Sequence, residues 1–414
     1  MQRLGKGIFY GWVIVGVGFI ILLVGSGCLY SYGVFLTELC TDLGWSRAMV
    51  SGAYSLLMIC LGGFSFVAGR LNDRYGPRLT LMISIVVMGA GFALMATVAA
   101  PWQLYVFYGL MAGGGYSFCY LPIASIASRW FVAKRGVVLG VTTAGVGVGA
   151  LVIAPFAQVL ISAFDWRISY LILAGLLVII ALPLSRLMRL EPCEKGLHPY
   201  GLEKMTAGQQ NNSPSSNTMD FTLKQALRTK AFWLLFAMHV FFILPLQMVM
   251  VHLKAYAADV GIAPMIAATF IGLVGGGSVL GRVIMGRLSD KIGRKAAFFI
   301  AYFLLAMMML WLIKARQPWQ FYLFSVVFGF GYGNCDILFP AITGDYFGTK
   351  FHGSIFGMVS LAIAPGGAIG PLLAGYVFDI TGSYDIAIIV GTAVLFIAAG
   401  CSFIIKAPGT PKPI

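Results

Sequence analysis

Arg282 lies in GGGSVLGRVIMGRLSDKIGRK (275–295), about six residues inside the end of a long apolar run. At about 1.5 Å per helical residue that depth is roughly 9 Å. A guanidinium so deep in lipid costs at least ~2.5–3.5 kcal/mol, so it must face a cavity or a partner. Its planar fork of N–H donors matches a carboxylate. Ser278 and Gly275, one and two turns back on the same face, leave room beside it. An ion pair with Asp336 of GYGNCDILFP (331–340), which counts to a similar depth, would also account for the buried charge, as would snorkelling of the side chain to the interface.

Other polar groups interrupt the apolar runs at helical spacing. In QMVMVHLKAYAADVG (247–261) His252, Tyr256 and Asp259 share one face near the outer end, where they are expected to line the mouth of an anion path, and His252 is counted with the binding residues. Lys254 points off that face and is expected at the interface. GGGYSFCYLP (113–122) and its parallel GYGNCDILFP offer Tyr116, Tyr120, Tyr332, Asn334 and Phe339 as pocket walls. A titratable stop for a proton is expected at Asp336, then at His252 and Asp259. No nucleophile–base pair, metal-ligand cluster or phosphate loop has credible spacing, so neither an enzyme nor a cofactor site is expected.

The elements that must hold these residues are spanning helices. Of 414 residues, 59% are hydrophobic and 10% charged, against about 25% charged in soluble domains. Runs of the length that crosses a bilayer fall at 8–37, 46–70, 79–99, 102–128, 135–162, 167–188, 230–257, 263–287, 296–313, 319–343, 353–379 and 384–405. The first is too long for a signal-peptide core. The abundant Gly (52) suits close helix approach in lipid. The seven Cys are odd in number and mostly intrahelical, and imply no disulfide framework.

Charge sets the expected orientation. Of 28 Lys and Arg, five (Arg47, Arg167, Lys254, Lys314, Arg316) fall on one side, Arg282 within a span, and the rest on the other. That bias places both termini and the long polar segment in the cytoplasm of a cell (plasma or inner) membrane. The net charge of +14 is spread over loops, without the concentrated basic face of a nucleic-acid binder. Neither terminal segment is long enough for the output domain of a membrane sensor. Organisation follows: a six-helix bundle at 1–189, a linker at 190–229 rich in Asn, Ser and Gly, and a second bundle at 230–414.

The halves repeat at about 217 residues. GRLNDRYGPR (69–78) returns as GRLSDKIGRK (286–295), and Gly136 and Gly140 return as Gly353 and Gly357. Duplicated halves are a signature of secondary transporters. GxxxDRxGxR and its copy resemble the cytoplasmic loop motif of the major facilitator superfamily. The resemblance implies an all-α membrane fold of twelve transmembrane helices in two pseudo-symmetric halves, with Asp73, Arg74, Asp290 and Lys291 as a conformational latch.

Within that superfamily, FYGW (9–12) and WFVAKRGVVLGVTTAG (130–145) resemble the monocarboxylate transporters, and Arg282 falls where that family carries its substrate-binding arginine. The chain departs from animal members in having Tyr30 where they carry a lysine and Ser278 where they carry an acid. LFPAITGDYFGT (338–349) resembles bacterial oxalate/formate exchangers. The expected function is transport of a small monocarboxylate of the lactate, pyruvate or acetate type, in symport with a proton; the alternative is carboxylate exchange. One evident buried cation suits a single carboxylate, and no obligate protein partner is expected.

Overall fold

The computed structural model describes residues 9–131, 135–198, 200, 220–348 and 350–409, and at a few helical positions, Asp73 among them, the backbone alone. Twelve spans follow in order. They are α1 (Tyr10–Leu43, interrupted at Ser31), α2 and α3 (47–75 and 77–95), α4 (101–130), α5 (Arg135–Ala163) and α6 (Trp166–Ser185). After the linker come α7 (Lys230–Asp259), α8 (Pro264–Ile292), α9 (Arg294–Ile313), α10 (Pro318–Phe347), α11 (His352–Thr381, broken between Ser360 and Ile363) and α12 (Asp385–Ile404). Eleven are long and apolar enough on their own to cross a membrane, and α4, divided by a π-helical stretch at Tyr105–Ala112, completes the set.

The sequence repeat is also a backbone repeat. Gly76 turns the chain from α2 to α3 at φ 79°, ψ 166°, and Gly293, its counterpart, turns it from α8 to α9 at φ 87°, ψ 148°. That region of φ/ψ space is open essentially to glycine alone, which is why both copies of the motif carry Gly there. Pro77 then starts α3, where its missing N–H costs nothing.

Helix pairing obeys the same symmetry. Contacts of α1 with α5 are matched by α7 with α11, α2 with α4 by α8 with α10, and α3 with α6 by α9 with α12. The halves meet along two seams, α2 with α11 and α5 with α8, while α1 faces α7. Without a hydrophobic driving force between helices in lipid, close approach is what binds them. A Cβ at Gly281 of α8 would land on the Phe330 carbonyl of α10, and one at Gly333 of α10 on the Ser278 carbonyl of α8. This contact brings the backbones carrying Arg282, Tyr332 and Asp336 together.

The end bearing the 190–229 linker is here called the linker end, and the opposite one the distal end. Residues 201–219 of the linker lie outside the described residues. Its flanks are tied down: the Trp130 indole donates to the Arg189 carbonyl (3.0 Å), and the Phe221 amide to the Phe347 carbonyl (3.0 Å).

Candidate functional site

Arg282 is 8% exposed, on the face of α8 that packs against α10 and nearer the linker end of the helix than the distal end. Its Nε and Nη2 both donate to Asp336 Oδ2, at 3.2 and 3.0 Å, and Nη2 also reaches the Tyr332 hydroxyl at 3.4 Å. The guanidinium lies 5.3 Å from the Tyr332 ring centre. Nη1 is buried and has no hydrogen-bond partner among the described residues. An unpaired donor on a buried cation is costly. The fork is thus half used, because two nitrogens share one carboxylate oxygen and the third offers its protons to something else. Asp336 is the open side of the pair, with its side chain 38% exposed.

Both halves contribute to the surroundings. Tyr120 of α4 comes close enough to interact with both Arg282 and Asp336, and its ring stacks on Tyr116 at 6.2 Å. Tyr30 of α1 comes close enough to interact with Gln247 of α7 and with Tyr332. The Tyr54 hydroxyl of α2 donates to Gln247 Oε1 at 3.0 Å. A cation with a spare donor, walled by tyrosines and beside a reachable carboxylate, has the hydrogen-bonding capacity to accept a small anion.

The structure brings Arg282, Asp336, Tyr332, Tyr120 and Tyr116 together and sends other expected residues elsewhere. Ser278 donates to its own helix at Gly275 (2.7 Å) and packs against Gly147 of α5, so it belongs to the seam between halves. Asn334 lies off the Tyr332–Asp336 face and donates to the Ala297 carbonyl of α9 at 3.4 Å. Phe339 is one turn further along, with His239 of α7 stacked on it at 4.1 Å.

At the distal end the expected open mouth is closed. His252 is buried against Ser51, Pro371 and Tyr384, Asp259 is paired with Arg47, and Tyr256 donates to the Leu312 carbonyl. Lys254, expected at the interface, is 1% exposed, with Nζ on the Val34 carbonyl (2.6 Å) and Glu38 (3.3 Å) of α1. It is a second buried cation, already paired.

Of the expected latch, the Asp73 side chain lies outside the described residues, and Arg74 is exposed beside the Tyr75 ring at 5.2 Å. Asp290 binds Arg294 (2.6 Å), which also holds Asp345 of α10 (3.1 Å), so the contact lies within one half; Lys291 is exposed. Sequence reasoning missed Gln247, Tyr54 and His239. The available signal was a Gln and a His inside one apolar run.

Two six-helix halves around a buried arginine define a transporter fold. The family model of the Major Facilitator Superfamily matches residues 15–314 and 247–414, and the chain belongs to that superfamily. Over 407 residues it is 27% identical to monocarboxylate transporter 13 of Bos taurus, covering 96% of this chain and 89% of that one. Over 408 residues it is 25% identical to the oxalate:formate antiporter of Oxalobacter formigenes, covering 97% and 93%. Its fold matches a bacterial homolog of the human lysosomal transporter Spinster, solved inward-facing and unoccupied, with TM-score 0.76, 13% identity and 97% and 98% coverage. The nucleoside transporter NupG matches at TM-score 0.73, with 14% identity and 96% and 99% coverage.

Proposed function

We propose that this protein is a secondary transporter of small monocarboxylates, of the lactate, pyruvate or acetate type, that moves its substrate together with a proton by alternating access. The observation that carries the reading is the buried Nη1 of Arg282, a donor with no partner among the described residues, beside a carboxylate that is open to solvent. In the empty site Asp336 neutralises Arg282. Protonation of Asp336 weakens that pair, and the substrate carboxylate takes the fork. The loaded site then has the same charge as the empty one, so the rocking halves carry no net charge against the membrane potential, which would cost ~2.3 kcal/mol per charge per 100 mV. At neutral pH the acid itself is almost wholly anionic, and the proton must therefore travel on the protein.

A single carboxylate fits because the second buried cation, Lys254, is already occupied by Glu38 and a carbonyl. In this reading the linker end and both termini are cytoplasmic and the protein sits in the plasma or inner membrane. The state described is closed to the outside: the ion pairs joining the halves among the described residues, Arg47 with Asp259 and Lys254 with Glu38, lie at the distal end.

Uptake of radiolabelled lactate into proteoliposomes under an inward acid gradient tests the reading. Gradient-driven accumulation, competed better by pyruvate and acetate than by oxalate, is the expected result. Accumulation indifferent to the gradient removes the proton, and stronger competition by oxalate favours exchange of the oxalate/formate kind.

A further inference from the structure

Arg47 opens α2 in the first half, and its partners all belong to the second. Its guanidinium forks onto Asp259 of α7, Nη1 to Oδ2 at 2.6 Å and Nη2 to Oδ1 at 2.7 Å. It lies 3.7 Å from the Phe378 ring centre of α11. Its backbone N–H and that of Ala48 donate to the two oxygens of Asp379, at 2.9 and 2.8 Å, so a carboxylate of one half caps a helix of the other. Nη1 also donates to the Tyr384 hydroxyl at 2.6 Å.

Tyr384 passes this contact to His252, and the donors can be counted. His252 Nε2 lies 2.9 Å from the Pro371 carbonyl and 3.1 Å from Ser51 Oγ; the carbonyl can only accept, so Nε2 carries a proton and the serine oxygen is a second acceptor for it. Nδ1 is 3.0 Å from the Tyr384 hydroxyl, whose oxygen already accepts from Arg47. The hydroxyl proton is thus the one left to bridge to Nδ1. The chain runs Arg47 to Tyr384 to His252 to Pro371, each donating to the next, and it requires a neutral imidazole. The other charged and titratable groups around it are Asp379 of α11, Cys40 of α1, and Tyr256 and Asp259 on α7 itself.

We propose that His252, Tyr384 and Arg47 form a latch that holds the distal end closed and that a proton on His252 Nδ1 releases. A protonated ring would turn a second N–H toward the Tyr384 oxygen, putting two cations on one hydroxyl and displacing its proton from the bridge. Proton binding and opening are therefore linked. The proposal rests on the transport reading for its purpose, admitting an outside proton when the outside is acid, but its test needs no substrate.

Spin labels at positions 164 and 319, one on each half at the distal end, report its opening in full-length protein freed of native cysteines. Wild type should be closed at about pH 7.5, with the open population rising by up to about tenfold per pH unit toward about pH 5. His252→Gln supplies the same acceptor and donor without a titrating ring and should stay closed throughout. Arg47→Gln should be open at both pH values. Tyr384→Phe, which keeps the ring packed 4.7 Å from Phe378, should lose the acid response. Wild-type distances unmoved by acid, an acid response in His252→Gln or Tyr384→Phe equal to wild type, or a closed Arg47→Gln would each overturn the latch. None of these outcomes depends on carboxylate uptake, so the latch and the transport reading fail separately.

Discussion

Arg282→Lys keeps the charge at the proposed binding site and removes the fork. In the structure Nε and Nη2 are committed to Asp336 and Tyr332 while Nη1 has no partner among the described residues, so arginine can receive an anion at Nη1 before protonation of Asp336 hands over the rest of the fork. A lysine has one nitrogen for both tasks. If it stays on Asp336, the substrate loses one charge-assisted hydrogen bond, a loss of ~1.5–3 kcal/mol. At about 1.4 kcal/mol per factor of ten, that predicts half-saturation raised by roughly 10–100-fold. The assay is initial uptake into proteoliposomes at a fixed acid gradient, over a substrate range wide enough to separate half-saturation from maximal rate. Arg282→Ala, which removes every donor, should abolish uptake; because Asp336 is partly exposed, water can take over its solvation and the protein should still fold. Half-saturation of Arg282→Lys equal to wild type, or near-normal uptake by Arg282→Ala, would refute the assignment.

Asp336→Asn should retain exchange of labelled for unlabelled substrate across liposomes but lose accumulation driven by acid; if it still concentrates substrate, the proton rides elsewhere, and His239, near Asp336, is the next to replace. Gly281→Ala forces a methyl onto the Phe330 carbonyl at the α8–α10 contact, an overpacking of ~1–3 kcal/mol. Its melting temperature should fall by several degrees relative to Gly400→Ala, where nothing lies within 4 Å of the added carbon. Glu38→Gln leaves the buried Lys254 ammonium with neutral acceptors and no counter-charge, whereas Glu38→Gln with Lys254→Met removes both charges. The single change should therefore destabilise the protein more than the double, in thermal unfolding followed in detergent.

The twelve spans were legible because lipid demands long apolar runs, and their ends agree with the helices to within a few residues at most boundaries. The interruptions at Ser31, at Tyr105–Ala112 and near Leu361 were not, since they occur in stretches whose composition is as apolar as the helices around them. The same division runs through the site. Depth can be counted along one helix, and that count paired Arg282 with Asp336. It cannot tell which elements stand opposite, so it reads His252 and Asp259 as a mouth where Arg47 of the first half and Tyr384 of the second close over them. Lys254 was misplaced for a related reason: α1 continues to Leu43, beyond the apolar run ending at 37, and so carries Glu38 up beside α7. The repeat was the signal that crossed from one level to the other. Gly76 and Gly293 are 217 residues apart, and both hold a conformation that side chains resist, so the duplicated motif specifies a turn as well as a charge pattern. The halves differ in where their cations sit: α8 carries Arg282, while its counterpart in the repeat, α2, has Ser65 at the equivalent position and carries Arg47 at the distal end, with Arg70 and Arg74 toward the linker end. Symmetry thus builds the frame, and a cation placed at a different depth in each half separates a proposed binding residue from a proposed latch.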